Sequence, residues 1–320
     1  MARKAPALRE GDVVAIVAPS GAVNEQAMER GIKVLENLGL RVRVGKHVLD
    51  RWGYLAGDDR GRAEDITGAW MDPEVKAVIC SRGGYGAMRV LPYLDFEKLK
   101  AHKKIFVGYS DITALHAAFW REMRLVTFHG PVAESGEQSG LNEPYNLAYF
   151  KRALFGTFTP GELELPNGHS LTALEEGEAE GIVVGGNLSL IASTIGSRWE
   201  LDTRGKILFL EEVGERPYRV DRMLSQLALS GKLADAAGYI LGDFTDCESS
   251  GDYPSFSVPE IFEQYFKGTG KPCISGVPAG HALHKATIPF GIKVRISAPP
   301  ASSQEKPAVH FLESPTARRK

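Results

Sequence analysis

The sequence predicts an α/β protein in two parts: an N-terminal domain over residues 1–160 built on a parallel sheet, a linker over 161–178, and a β-rich C-terminal domain over 179–320. Three observations predict it. Strand and helix patterns alternate through the first half, as βαβ units do. Near residue 155 Gly, Pro and Glu crowd together and sustained periodicity is lost. The length of 320 residues also exceeds what one hydrophobic core commonly spans.

Taken in order, "DVVAIVAPS" (12–20) is a short β-branched run ended by Pro and Ser. "AMERGIKVLENLG" (27–39) has apolar residues at helical spacing and closes on Gly39, a C-cap candidate. "LRVRVGKHV" (40–48) alternates as a strand, and "RGRAEDITGAWMD" (60–72) reads as a helix. "VKAVICSRGGYG" (75–86) is a buried strand running into glycines, and "GAMRVLPYLD" follows as a broken helix. "IFVGYSDITALHAAF" (105–119) is a strand that turns abruptly into an Ala-rich helix. In parallel sheets of this kind, ligands sit beyond the carboxyl ends of the strands. Past the linker come short strands in "GIVVGG", "KILFLEEV", "AGYILGDF" and "KVRISAP". One helix stands among them, "YRVDRMLSQLALSG" (218–231), with Val220, Met223, Leu224, Leu227 and Leu229 mostly on one face and Gly231 at its end. No internal repeat or low-complexity segment was found.

Composition is that of a soluble globular enzyme, 43% hydrophobic and 24% charged. A net charge of -2 gives no electrostatic case for a nucleic acid or an acidic membrane as partner. The C-terminal "ARRK" is basic but short, and reads as a frayed, solvated tail. Cys80, Cys247 and Cys273 are far apart and make no metal-type spacing, which fits a reducing compartment. The N-terminus lacks the apolar core of a signal peptide and no stretch reaches membrane-spanning length, so a cytoplasmic location is expected. No His or carboxylate spacing resembles a zinc motif, and no cofactor is predicted.

Ser110 stands at the corner between a strand tip and a helix. A nucleophile there is pushed clear of the sheet, and the free N–H groups and dipole of the helix start favour negative charge on the reacting group. "GYSD" is not the G-x-S-x-G elbow, though the geometric logic is the same. A serine that simply caps the helix is the other reading of this stretch. A nucleophilic serine needs a base, and the base an orienting group. Of eight histidines, His129, His281 and His284 lie in loops punctuated by Gly and Pro, where site residues concentrate. His116 falls on the helix after Ser110 and reads as structural; His47, His102, His169 and His310 have nothing to distinguish them. For the acid, "ILFLEEV" (207–213) stands out, because a carboxylate pair ending an apolar strand is costly to bury unless it is paired or used. Either Glu211 or Glu212 fills that place, and one of the two is expected to emerge into solvent.

The segments "SRGGYGAMRVLPYLD", "VGYSDITALH", "TFHGPV", "GGNLSLIASTIGS", "ILFLEEVGERPYRVDRMLSQL" and "GVPAGH", in this order, resemble the LD-carboxypeptidases. These are serine peptidases that include muramoyltetrapeptide carboxypeptidase and the microcin self-immunity peptidases. The resemblance spans about residues 12–297. It implies an N-terminal domain like class I glutamine amidotransferases and a C-terminal domain built round a small β-barrel. It also implies a Ser-Glu-His triad: Ser110 as nucleophile, Glu211 as orienting acid (Glu212 remains the alternative) and His281 as base. An oxyanion hole would come from the backbone N–H groups of Asp111 and Gly84. The triad would then draw on both domains, with the site in the cleft. The implied reaction is hydrolysis of the amide before a C-terminal D-amino acid, D-Ala in murein tetrapeptides, during peptidoglycan recycling. A homodimer is also implied.

Recognition of a free carboxylate calls for an arginine, with Arg82 and Arg216 as candidates by location; Asn187 and Tyr85 are candidates for shaping the cleft. Three other readings compete. Cys80 ends a strand, as a cysteine nucleophile of an amidotransferase-like domain would. "VAPSG" and "RGGYG" would suit a phosphate- or sugar-binding module, although no G-x-G-x-x-G or G-K-[ST] pattern supports it. Within the family, a self-immunity peptidase would cleave microcin-type aminoacyl-nucleotide conjugates; those enzymes carry extra aromatic residues on a longer loop, and the linker here has no tryptophan.

Overall fold

The computed structural model describes residues 2–251 and 254–319. The chain forms two compact units. The first takes the chain up to Phe158, then Leu283–Gly291 and the segment from Ser314; the second takes Thr159–Ala282 and Ile292–Glu313.

The first unit holds a six-stranded sheet in the order Ile288–Phe290, Thr127–His129, Ile105–Gly108, Val75–Cys80, Val13–Val17, Arg41–Val44. Its five N-terminal strands run parallel, and Ile288–Phe290 adds antiparallel to Thr127–His129. The central strands are buried on both faces, as parallel strands covered by helices are. Helix Glu25–Asn37 is capped by Asn24, whose side chain accepts from the Ala27 N–H, and helix Asp59–Met71 is capped by Asp58. Below the sheet, Trp70, Phe106 and Phe119 meet with ring centroids 4.7–6.3 Å apart, fixing helices Asp59–Met71 and Thr113–Met123 against strand Ile105–Gly108.

The second unit is a mixed sheet in the order Gly161–Glu162, Ala308–Phe311, Lys293–Ala298, Gly177–Asn187, Ile207–Val213, Gly238–Thr245, Cys273–Ser275, Thr172–Glu175. Four of these, from Gly177–Asn187 to Cys273–Ser275, are parallel, and the outer strands are antiparallel. Helices Leu188–Thr194, Pro217–Leu229 and Val258–Phe266 supply the crossovers. The unit is therefore α/β in its middle, with antiparallel strands outside.

Two further expectations are corrected. Residues 161–178 hold two edge strands and the start of a third, so they are part of the second sheet. The tail is docked: the N–H of Ala317 donates to the Ala5 carbonyl at 2.8 Å, and Arg319 makes a two-pronged ion pair with Asp12 at 2.7 and 3.0 Å. Lys320, the last residue of "ARRK", lies outside the described residues.

Candidate active site

Strand Ile105–Gly108 ends in Tyr109, a single 3-10 turn Ser110–Ile112 and helix Thr113–Met123. Ser110 has φ 64, one of three non-glycine residues with positive φ among those described. A capping serine is extended, so this backbone excludes the cap reading. Neither Tyr109 nor Ile112, at the two N-cap positions, makes a side-chain cap bond. A left-handed L-residue costs of order 1–2 kcal/mol and persists only where its surroundings impose it. The glycine segment after strand Val75–Cys80 closes against it: a Cβ on Gly83 would lie 2.7 Å from Ser110 Cβ and 3.0 Å from its Oγ. Only a residue without a side chain allows this approach. Gly84, the other proposed donor position, lies against Gly21, where a Cβ would meet its Cα at 3.3 Å.

In the second unit, strand Ile207–Val213 turns its two glutamates to opposite faces, as alternation demands. Both are buried, which corrects the expectation that one reaches solvent. They are used differently. Glu211 Oε2 accepts from His281 Nδ1 at 2.7 Å, with the carboxylate wholly buried and the imidazole 15% exposed. Glu212 instead accepts from Asn187 Nδ2, Val213 N–H, Ser189 N–H and Ser189 Oγ, at 2.7–2.9 Å. Burial pushes its carboxyl up, and these four donors pull the other way. Gly280 permits the Glu211–His281 pairing: its φ is +147, and a Cβ there would stand 3.1 Å from Glu211 Oε2. An imidazole held at Nδ1 by a buried carboxylate has a fixed tautomer and can take a proton at Nε2.

The other histidine candidates have other surroundings. His129 is buried with its ring against Tyr109, Phe290 and His116. His116 donates from Nε2 to the Gly108 carbonyl at 2.9 Å, and burial pushes its pKa down to about 4. His284 faces Glu143 at 3.8 Å and the ring of Tyr145. Cys80 is wholly buried, and burial holds its thiol well above the usual range, the setting of an inert cysteine.

The proposed recognition residues divide between the units. Arg82, with 41% of its side chain exposed, donates to the Ala22 carbonyl at 3.1 Å and lies 3.8 Å from Glu134. Tyr85 is exposed with its ring edge-on to Tyr54. Asn187 caps helix Leu188–Thr194 with its oxygen while its nitrogen serves Glu212. Arg216 precedes helix Pro217–Leu229, donates to Ser250 Oγ, and lines a cavity of about 520 Å³ with Tyr218 and Phe256.

Residues 14–130 match the LD-carboxypeptidase N-terminal domain and residues 180–296 the LD-carboxypeptidase C-terminal domain. The chain belongs to the LD-carboxypeptidase family. Among its relatives is a probable murein peptide carboxypeptidase of Bacillus subtilis, 42% identical over 92% of this chain and 91% of that protein. The fold is that of the muramoyltetrapeptide carboxypeptidase from Oxalobacter formigenes, with TM-score 0.81 and 32% identity over 95% of this chain and all of that one. The microcin C7 self-immunity protein of Escherichia coli is more distant, 27% identical over 87% of this chain and 88% of that protein. As an LD-carboxypeptidase, the chain is a hydrolase.

Sequence reasoning missed two contributors to this region. Asp111, singled out only for its N–H, accepts through Oδ2 from Ser20 Oγ at 2.6 Å and from the Ala87 N–H at 2.7 Å. The buried Arg62 donates to the Pro19 and Gly86 carbonyls. The Ser20, Ala87, Pro19 and Gly86 partners lie 24 or more residues away, so no local pattern marks these contacts.

Proposed function

We propose that this chain is a serine LD-carboxypeptidase that hydrolyses the amide before a C-terminal D-amino acid, with D-Ala of murein tetrapeptides as its substrate group in peptidoglycan recycling. The observation that carries this reading is the buried Glu211 carboxylate on His281 Nδ1 at 2.7 Å, the pairing that orients an imidazole to act as base through Nε2. Ser110, held at φ 64 on a strand-to-helix corner, is the nucleophile. His281 takes the Ser110 proton as Oγ attacks the carbonyl carbon, then returns it to the departing amine; Glu211 stabilises the imidazolium between these steps. The N–H groups of Asp111 and Gly84 meet the oxyanion, a donor of this kind being worth about 2.7–4 kcal/mol of barrier. Water then repeats the attack on the acyl-enzyme. Arg82 or Arg216 receives the substrate carboxylate, with Tyr85 and Asn187 shaping the pocket. The amidotransferase-like first domain, the small barrel in the second, cytoplasmic location and homodimeric state belong to the same reading.

The test is incubation with murein tetrapeptide and mass spectrometry for released D-Ala, comparing wild type with Ser110→Ala. Release by wild type alone is expected. A wild type that leaves the tetrapeptide intact but cleaves an aminoacyl-nucleotide conjugate would replace the murein reading with the self-immunity one. Equal release by both proteins would remove Ser110 from the chemistry.

A further inference from the structure

Two backbone segments of the first unit share the same two polar partners: Pro19–Ser20, after strand Val13–Val17, and Gly86–Ala87, at the start of helix Ala87–Val90. They are gripped at two successive positions by groups of opposite charge. Arg62, from helix Asp59–Met71, donates to the carbonyls of Pro19 and Gly86. One residue further along each segment, Asp111 Oδ2 accepts from Ser20 Oγ at 2.6 Å and from the Ala87 N–H at 2.7 Å. Both charged residues are 1% exposed. Arg62 is held in turn by Asp59, which also receives Arg89 at 3.0 Å.

Burying a carboxylate and a guanidinium is expensive unless each is hydrogen-bonded and countered. A neutral side chain would satisfy a hydroxyl and an N–H at lower cost, so tying these loops for stability alone does not account for the pair. What the two grips have in common is the end of the glycine segment, at Gly86 and Ala87. The glycines from Gly83 to Gly86 lead into Ala87, and Gly83 is the residue that closes on Ser110. Asp111 is the residue after Ser110, so its side chain anchors the left-handed turn to the glycine segment.

We propose that Asp111 and Arg62 are positioning residues: together they hold the glycine segment against Ser110, setting the spacing between the nucleophile and the backbone donors for the oxyanion. This rests on the reading of Ser110 as nucleophile. It assigns the Asp111 side chain a task separate from that of its N–H.

The test compares wild type, Asp111→Ala, Asp111→Asn and Ser20→Ala by D-Ala release, by melting temperature and by crystal structure. Asp111→Ala is expected to lower kcat about 100-fold, the scale of one lost oxyanion donor, with KM within about threefold. Asp111→Asn, whose amide oxygen can accept from both Ser20 and Ala87, should return to within about tenfold of wild type. Ser20→Ala removes one of the two bonds and should lose about three- to tenfold in kcat, which keeps the test open if Asp111→Ala does not fold. In crystals of the impaired variants, Ser110 should leave φ 64 or the glycine segment should shift from it. An Asp111→Ala protein that folds, keeps kcat within threefold and leaves the segment in place would overturn the proposal. So would an Asp111→Asn protein as impaired as Asp111→Ala at a wild-type melting temperature, since charge and not hydrogen bonding would then be at work. If wild type releases no D-amino acid, the functional reading fails, while the crystal comparison still decides the positioning one.

Discussion

Glu211 and Glu212 are adjacent, both buried, and differ in what they hold, so replacing each by glutamine separates chemistry from stability. Glu212 Oε1 accepts from Asn187 Nδ2 and Val213 N–H at 2.8 and 2.9 Å, and Oε2 from the N–H and hydroxyl of Ser189 at 2.8 and 2.7 Å. Glutamine keeps one oxygen. With that oxygen toward Asn187 and Val213, its NH2 faces Ser189, whose hydroxyl can rotate to accept but whose N–H is orphaned. One buried donor left without an acceptor costs about 1–3 kcal/mol. At roughly 2–4 °C per kcal/mol for a domain of 150–250 residues, Glu212→Gln should melt about 2–12 °C below wild type. Its kcat should stay near wild type wherever it is folded.

At Glu211 the same exchange acts elsewhere. Oε2 serves His281 alone, at 2.7 Å, and Oε1 is buried with no hydrogen-bond partner among the described residues. Glutamine fits the space and relieves the desolvated charge, so the melting temperature should move by less than about 3 °C. The imidazolium formed during attack loses its counter-charge, and the amide can favour the wrong tautomer. Triad acids changed to their amides lose about 10⁴-fold in kcat, which is about 5.4 kcal/mol of barrier at 1.36 per decade. Steady-state D-Ala release gives kcat, and scanning calorimetry gives the melting temperature. Glu211→Gln within tenfold of wild type, or Glu212→Gln inactive at an unchanged melting temperature, would refute the assignment.

Four further outcomes are expected. Ser110→Gly relieves the left-handed backbone and should raise stability by about 0.5–1 kcal/mol in urea titration, after allowing for the freer unfolded glycine, while abolishing activity; a destabilised variant would remove the strain argument. Gly83→Ala places a methyl 2.7 Å from Ser110 Cβ and should cost at least tenfold in kcat by the same assay; unchanged turnover would show that the segment yields. His116 titrates near 4 when folded and near 6.5 when unfolded, so the unfolded chain binds the extra proton between these values, and stability is lost as pH falls from about 6.5 to 4. That loss is roughly 3 kcal/mol, and acid titrations should show it shrink by this amount in His116→Gln. Iodoacetamide should leave activity intact and Cys80→Ala should remain active, because the thiol is buried and protonated; inactivation mapped to Cys80 by mass spectrometry would revive the cysteine reading.

How much was legible in the sequence depended on how far away each residue's partners lie. Strands at the centre of the first sheet announce themselves as apolar runs, unbroken in Val13–Val17 and interrupted only by Lys76 in Val75–Cys80. Helix Pro217–Leu229 shows its face in the spacing of Val220, Leu224 and Leu227. The edge strands do not. Thr172–Glu175 is paired on one side and has no buried residue, and Ile288–Phe290 carries a proline that only an edge tolerates. Helix Val258–Phe266 is a different kind of omission, because its capping box between Ser257 and Glu260 was there to be read. For the tail, the deciding partner is Asp12, 307 residues before Arg319. The corner at Ser110 was legible as a turn, but its positive φ was not, since the Gly83 contact that accompanies it is tertiary.

The same separation explains why strand alternation alone does not choose between the two glutamates. Alternation along Ile207–Val213 says that they face opposite ways and nothing about which way is useful. The difference lies in what waits on each side. One face meets Asn187 and Ser189, which offer three donors besides the strand's own Val213 N–H and leave Glu212 no spare acceptor. The other meets a single imidazole and leaves one oxygen of Glu211 without a hydrogen bond among the described residues. A fully satisfied buried carboxylate is a structural tie, and changing its protonation breaks bonds. One that is half satisfied and paired to a titratable ring gains most when that ring becomes charged, which is the behaviour a base's orienting group requires. Asp111 parts from Glu211 on the second count: its Oδ2 carries a hydroxyl and a backbone N–H and, among the described residues, no titratable ring, so its effect on Ser110 runs through geometry and not through proton transfer.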